Sequence, residues 1–509
     1  MIQVMLWFPL FAGLVGLVLP RKMVPIWATI ASLLVLTLSV IIAIGFDPDV
    51  AGLQQVVNEP WIPDLGVRYE LGIDGISVFL VVMTALVWAG GILWSAFHQP
   101  ERARIYFFML LLAETATLGA FIAQDLLLFV LFFDLMLVPF FFLFGSWGRE
   151  NEGVKPIPAT TKMMVYTLVG SLLMLVGAIA AAILATPEGG QISFSIATLR
   201  ENLLPEGSQD WIFWFFAAAF LVKMPVFLVH GWMPDAYRVA PLPVLAIFSG
   251  VLSKVGAYGF LRVSLPLFPD AAERFQELIL IIALASILYG SVMAFTQTNV
   301  RLISGYSSVA QLGFIMLGIF SLRPDGADGA VLQMVNHALV VVPMLLIIAV
   351  LYERSQTEDL REMGGLAMRA PVLAAMFLIV TLATLAMPGS SNFVGEFFIL
   401  NGVFQDSAAY TVVAMAGVVL AAFYSLRLYQ RTMHNRKPEG YESREISLRD
   451  SLVIGPFVVV IIALALYPGL ILERGEKSVE AAVCATGPYL DFPGDEPSPG
   501  CPDTFVADK

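Results

Sequence analysis

Charge is what this sequence has least of. Asp, Glu, Lys and Arg make up 13% of its 509 residues, against 58% hydrophobic residues and a mean hydropathy of +0.82. Soluble domains carry about a quarter charged residues, so this scarcity excludes one and fits an integral membrane chain. Cysteine is almost absent, with two residues, Cys484 and Cys501, both near the C-terminal end. No Cys/His set has metal-ligand spacing, no GxGxxG opens a helix after a strand, and no nucleotide loop occurs. No cofactor is therefore expected in this chain. Basic clusters interleaved with aromatics are also missing, which removes nucleic acid as a partner and leaves the lipid bilayer.

What is present is long apolar runs. Fourteen have spanning length, with approximate cores at 2–19, 24–45, 75–97, 105–123, 125–147, 161–185, 211–231, 240–264, 275–296, 300–321, 329–351, 371–403, 410–432 and 450–472. The first lacks a small-residue cleavage site and reads as a permanent span. The twelfth is overlong and contains Pro388-Gly389, so a broken helix is expected there. The fold class is all-α integral membrane, about 14 transmembrane helices. Odd-numbered connections carry 18 Lys and Arg, and even-numbered ones plus the tail carry 8. The positive-inside tendency then puts both termini on the outer side of a prokaryotic plasma membrane. An outer tail would lie in an oxidising compartment, where Cys484 and Cys501 could pair. In the loop 47–73, Val67, Tyr69 and Leu71 alternate with polar residues and predict a short strand or hairpin.

Met224-Pro225 interrupts span 7 and Met387-Pro388 interrupts span 12, five spans apart. Segments an odd number of spans apart run in opposite directions, so spans 4–8 and 9–13 are expected to be inverted repeats. Paired broken helices in inverted halves point to a transport pathway near mid-membrane. The expected organisation is 1–103 (spans 1–3 with the outer loop), 104–264 and 265–433 (the two repeats), and 434–509 (span 14 and a polar tail).

Six ionisable residues fall inside spans: Glu114, Asp134, Lys223, Lys254, His337 and Glu396, each on a different helix. A charge at the centre of a membrane helix costs roughly 2.5–3.5 kcal/mol on insertion scales. One such residue could be a structural hydrogen-bonder, but six on six helices suit a proton relay. A carboxylate and an ammonium about 4 Å apart, at an effective dielectric near 20, attract by about 4 kcal/mol. That changes a proton affinity roughly a thousandfold. Lysine suits the task because desolvation loosens its proton, whereas arginine stays charged.

These residues lie in motifs. LGIDGIS at Leu71–Ser77, DLMLVP at Asp134–Pro139, VKMPVFLVHGWMPDA at Val222–Ala236 and LSKVGAYGFLR at Leu252–Arg262 come first. YSSVAQLGF at Tyr306–Phe314 and MPGSSNFVGEF at Met387–Phe397 follow. Together they resemble the antiporter-like membrane subunits of respiratory complex I, the proton-pumping NADH:quinone oxidoreductase, over nearly all spans. Glu396, where the L and N subunits usually have lysine, resembles the M type. The resemblance implies a translocase subunit without redox chemistry of its own, with flavin and iron–sulfur clusters in partner subunits. It also implies partnership with the sister subunits L and N. Asp134 and Lys223 would be the input pair, Lys254 and His337 the connecting groups, and Glu396 the terminal group, with Glu114 also in the relay. The chain departs from the family at Asp134 (usually Glu), Tyr237 and Gln311 (commonly His), and Leu242–Ala246 (usually small residues). A cation/proton antiporter subunit and an energy-converting membrane hydrogenase subunit remain alternative readings.

Overall fold

In hydrocarbon every backbone N–H and C=O must be satisfied within its own segment, so the apolar runs coil into helices. The computed structural model describes residues 1–50, 52–435, 444–484 and 486. Helices α1 (Ile2–Val18) and α2 (Val24–Ile44) lead into an antiparallel hairpin, β1 (Gln54–Ile62) and β2 (Val67–Ile73). Its register pairs Val57 with Leu71 and Glu59 with Tyr69, and the turn closes at Gly66, whose φ of 71° favours glycine. The hairpin expected from the 47–73 alternation is present.

Next come α3 (Ser77–His98), α4 (Ala103–Ile122), α5 (Leu126–Leu135), α6 (Leu137–Trp147), α7 (Pro156–Leu184) and the short α8 (Ile196–Glu201). The chain continues through α9 (Glu206–Lys223), α10 (Met233–Val239), α11 (Leu242–Ile247), α12 (Ser253–Gly259), α13 (Leu265–Leu267) and α14 (Pro269–Arg274). The second half holds α15 (Gln276–Thr296), α16 (Val300–Ile319), α17 (Pro324–Ser355), α18 (Pro371–Thr384), α19 (Ser391–Asp406) and α20 (Ala408–Met433). Finally α21 (Leu448–Leu466) and α22 (Gly469–Val483) close the described chain. Among the described residues, eleven helices are long and apolar enough to cross a membrane. The other three expected spans correspond to α1, of 17 residues, to α9, and to the divided pair α18–α19.

Both proline breaks are present. Pro225 has no N–H to give to Leu221 O, which Val226 N takes instead at 3.4 Å, and the Trp232 indole caps Val222 O at 3.1 Å. The overlong run 371–403 is two half-helices separated by Leu385–Ser390, with Ala386 at φ 51° and Gly389 at φ 92°. Two irregularities were not expected. Span 5 divides at Met136, where Pro139 cannot donate to Leu135 O. Span 8 contains π turns at Phe248–Leu252 and Phe260–Ser264, on either side of Lys254.

One expectation is corrected. Span 14 ends at Leu466, and a Tyr467-Pro468 turn starts the amphipathic α22 where a polar tail was expected. Ile471, Val479 and Val483 are buried, and Ser478 Oγ accepts from Gly75 N at 3.0 Å. Lys477 pairs with Asp49 at 3.0 Å, and Arg200 donates to Ala481 O at 3.2 Å. The pairing of Cys484 with Cys501 lies outside the described residues.

Even-numbered connections thus meet α22 at one end of the molecule. Odd-numbered ones meet at the other. There, Asn151 binds Glu358 at 2.7 Å, Asn299 binds Glu152 at 2.9 Å, and Arg301 pairs with Glu358 at 2.7 Å. Arg149 also binds Glu358. Helices α11–α13, α16 and α17 form the buried centre, and α1, α2, α7, α20 and α21 expose apolar faces.

Candidate functional site

Both helix breaks and the π turns carry their ionisable neighbours toward the buried centre. Lys223, the last residue of α9, is buried and donates to Phe133 O at 3.1 Å. Its ammonium also lies 4.1 Å from the centroid of the Phe133 ring. Asp134 sits beside it, just before the division of span 5, with Oδ1 buried and without a hydrogen bond. The two groups interact electrostatically but make no direct ion pair among the described residues. A shift of the α5–α6 joint would change their attraction, which varies inversely with their separation.

From Lys223 a cavity of about 10 Å³ leads past Tyr237, Ser249 and Ser253. That is room for about one water. The Tyr237 hydroxyl donates to Ser249 Oγ at 2.8 Å. Beyond it, Lys254 is fully buried on α12. The π turn before it re-aims backbone carbonyls, and Lys254 Nζ donates to Ser249 O at 3.1 Å and to Ser253 Oγ at 3.3 Å. Its third contact is His337 Nδ1, at 2.7 Å, on α17. When Lys254 is an ammonium it gives one N–H to each acceptor, and in that state His337 Nδ1 accepts and the imidazole proton sits on Nε2.

His337 also lines a second cavity, of about 20 Å³, with Ser307, Ser308, Gln311, Tyr424 and Ser425. Ser307 donates to the Tyr424 hydroxyl at 3.0 Å. On the far side Gln311 Nε2 donates to Glu396 Oε1 at 2.8 Å, and Gln333 Nε2 donates to Gln311 Oε1 at 2.7 Å. Glu396 is buried on α19, one turn past the span-12 break.

The structure thus brings five of the six expected residues into one row: Asp134, Lys223, Lys254, His337 and Glu396. Glu114 stands apart. It is buried on α4, and its hydrogen bond comes from Ser32 of α2 at 3.3 Å. Ser249, Ser253, Ser307 and Tyr424 were missed from the sequence because uncharged hydroxyls cost little in a span and do not stand out. A further pair outside the row is Arg262 with Asp74, 3.3 Å apart, which joins the LGIDGIS loop to the second π turn.

Residues 123–423 match the family described as NADH:quinone oxidoreductase/Mrp antiporter, transmembrane. The chain is 36% identical to NADH-quinone oxidoreductase subunit M of Rhodobacter capsulatus over 467 residues, covering 90% of this chain and 89% of that one. Subunit M of Escherichia coli K12 is 36% identical over 437 residues, covering 84% and 86%. A chain of respiratory complex I from Thermus thermophilus with bound NADH superposes with a TM-score of 0.87 at 29% identity. That match covers 96% of this chain and all of the other.

Proposed function

The chain belongs to the NADH:quinone oxidoreductase/Mrp antiporter family of membrane subunits, and we propose that it is the M-type proton-translocating subunit of complex I. Protons pass along Asp134, Lys223, Lys254, His337 and Glu396 while electrons move in other subunits. The observation that carries this reading is the Lys254–His337 hydrogen bond, 2.7 Å long. It joins the expected first repeat (104–264) to the second (265–433) through two groups that each hold and release a proton.

The contacts support one order of events. When Asp134 draws the Lys223 charge, Lys223 holds its proton. When the carboxylate moves away, burial favours release through the water-sized cavity toward Lys254. Lys254 hands a proton to His337 Nδ1 along their hydrogen bond, and the imidazolium gives up its Nε2 proton on the opposite side. The second cavity leads on to Glu396. Gln311 holds Glu396 but its amide does not titrate, so the proton travels by the Ser307 and Tyr424 hydroxyls and water.

No redox step is assigned to this chain, and flavin and iron–sulfur clusters are expected in partner subunits. The sister subunits L and N are the expected membrane neighbours. The Lys/Arg asymmetry of 18 against 8 supports termini on the outer side of a bacterial inner membrane. The same family covers Mrp antiporters, but the curated relatives at 34–36% identity favour the M type.

Purification of the native complex tests the reading. NADH-oxidising and quinone-site subunits should co-purify, and Lys223→Ala should leave the complex assembled while removing most NADH-driven proton uptake in vesicles. Co-purification with antiporter subunits alone, or uptake at the parental rate in the variant, contradicts it.

A further inference from the structure

A cavity of about 660 Å³ lies outside the polar row, where α2 passes α3 next to the α1–α2 and α3–α4 turns. Its walls are apolar: Ile26 and Ile30 of α2 face Leu93 and Phe97 of α3. Ile26 is 64% exposed and Ile30 47%, so the groove opens sideways onto the surface that a bilayer covers. Arg21 and Lys22 stand at its mouth.

Both cations are exposed, and among the described residues neither makes an ion pair. More positive charge gathers around them. Arg102 and Arg104 follow in the α3–α4 turn and the start of α4, and Arg104 Nε donates to Leu19 O at 2.9 Å. Arg449 lies 5.9 Å from the Phe97 ring. Glu101 is the one carboxylate in the two turns.

The volume falls in the roughly 300–1,000 Å³ range of small-molecule sites. An apolar groove open to the bilayer gains nothing from water, and its mouth selects for negative charge at headgroup depth. We propose that it holds an acyl chain of an anionic phospholipid, with the phosphate on Arg21 and Lys22. Basic pockets between transmembrane helices recognise anionic headgroups in this way. Each cation near the membrane surface contributes about fivefold in affinity, so the pair contributes roughly thirtyfold. The proposal does not rest on proton pumping, because lipid binding is read without turnover.

The test uses the purified whole membrane complex, stripped of lipid in detergent. It is titrated with phosphatidylglycerol or phosphatidylcholine, and bound lipid is counted by native mass spectrometry. The parental complex should retain at least one phosphatidylglycerol that phosphatidylcholine does not replace. The double variant Arg21→Gln/Lys22→Gln should bind it roughly thirtyfold more weakly and lose the headgroup preference. Ile30→Trp, a change at an exposed wall position, should fill the groove and abolish binding of both lipids at this site. Equal counts in all three proteins overturn the proposal. So does equal retention of the two lipids by the parental complex. Cross-linking of an Ile26→Cys variant to a neighbouring subunit in the native membrane would also overturn it, because protein and not lipid would then fill the groove.

Discussion

Three acceptors converge on Lys254: Ser249 O, Ser253 Oγ and His337 Nδ1. Removing one strands an N–H of a buried cation, at a cost of about 1–3 kcal/mol or more. His337→Leu should therefore reduce the yield of assembled complex as well as its proton uptake. His337→Gln keeps an acceptor and should restore assembly on native gels but not uptake, because an amide does not take up a proton. Normal uptake in the Gln variant would remove His337 from the relay. At Asp134 charge should matter more than length. Asp134→Glu should keep most quinone-reductase turnover and Asp134→Asn should lose most of it in assembled complex; an active Asn variant would make Asp134 a structural group. The charged members of the row were legible in the sequence because each is costly in a span. Their order came only from the family resemblance, since it depends on which helices touch; the structure places Lys254 on His337 and leaves Glu114 against Ser32. Gln311 was visible only as a departure from a family pattern, yet it is what holds Glu396.

The elements that carry these groups are irregular where the groups sit. The breaks after Lys223 and before Glu396 could be read from Met-Pro pairs, because proline cannot donate to the preceding turn. The π turns around Lys254 were not read from the sequence, since FSGVL and FLRVS contain no proline. The start of α22 was taken for the end of span 14 because the apolar run continues through Leu470–Leu472. Close packing fixes where Glu396 stands. A Cβ at Gly329 on α17 would lie 2.6 Å from Ile399 N and 2.9 Å from Gly395 O, both backbone atoms of α19. Neither can rotate away, so Gly329→Val should push α19 off α17 and move Glu396 from Gln311. Lower complex yield and a depressed melting temperature are expected, with proton uptake lost in whatever assembles. An assembled variant of parental stability and pumping would show that the α17–α19 contact tolerates a wider gap.

At the scale of the whole molecule, lipid-facing helices surround a buried polar row, and connections of opposite parity meet at opposite ends. In the proposed orientation, which rests on the Lys/Arg asymmetry, the α22 end faces the outside. Lys477→Cys, on the exposed side of α22, should react in intact cells with a maleimide that does not cross membranes; labelling only after the cells are opened would invert the topology. The central claim is that one buried row carries protons between the two halves, and Lys254 is its middle. Lys254→Met keeps the length of the side chain and removes its proton. The decisive measurement is NADH-driven proton uptake by the complex reconstituted in vesicles, with NADH oxidation followed in the same sample. The account predicts an assembled Lys254→Met complex in which most proton uptake is gone and oxidation slows with it. Parental uptake and parental oxidation in that variant would contradict it.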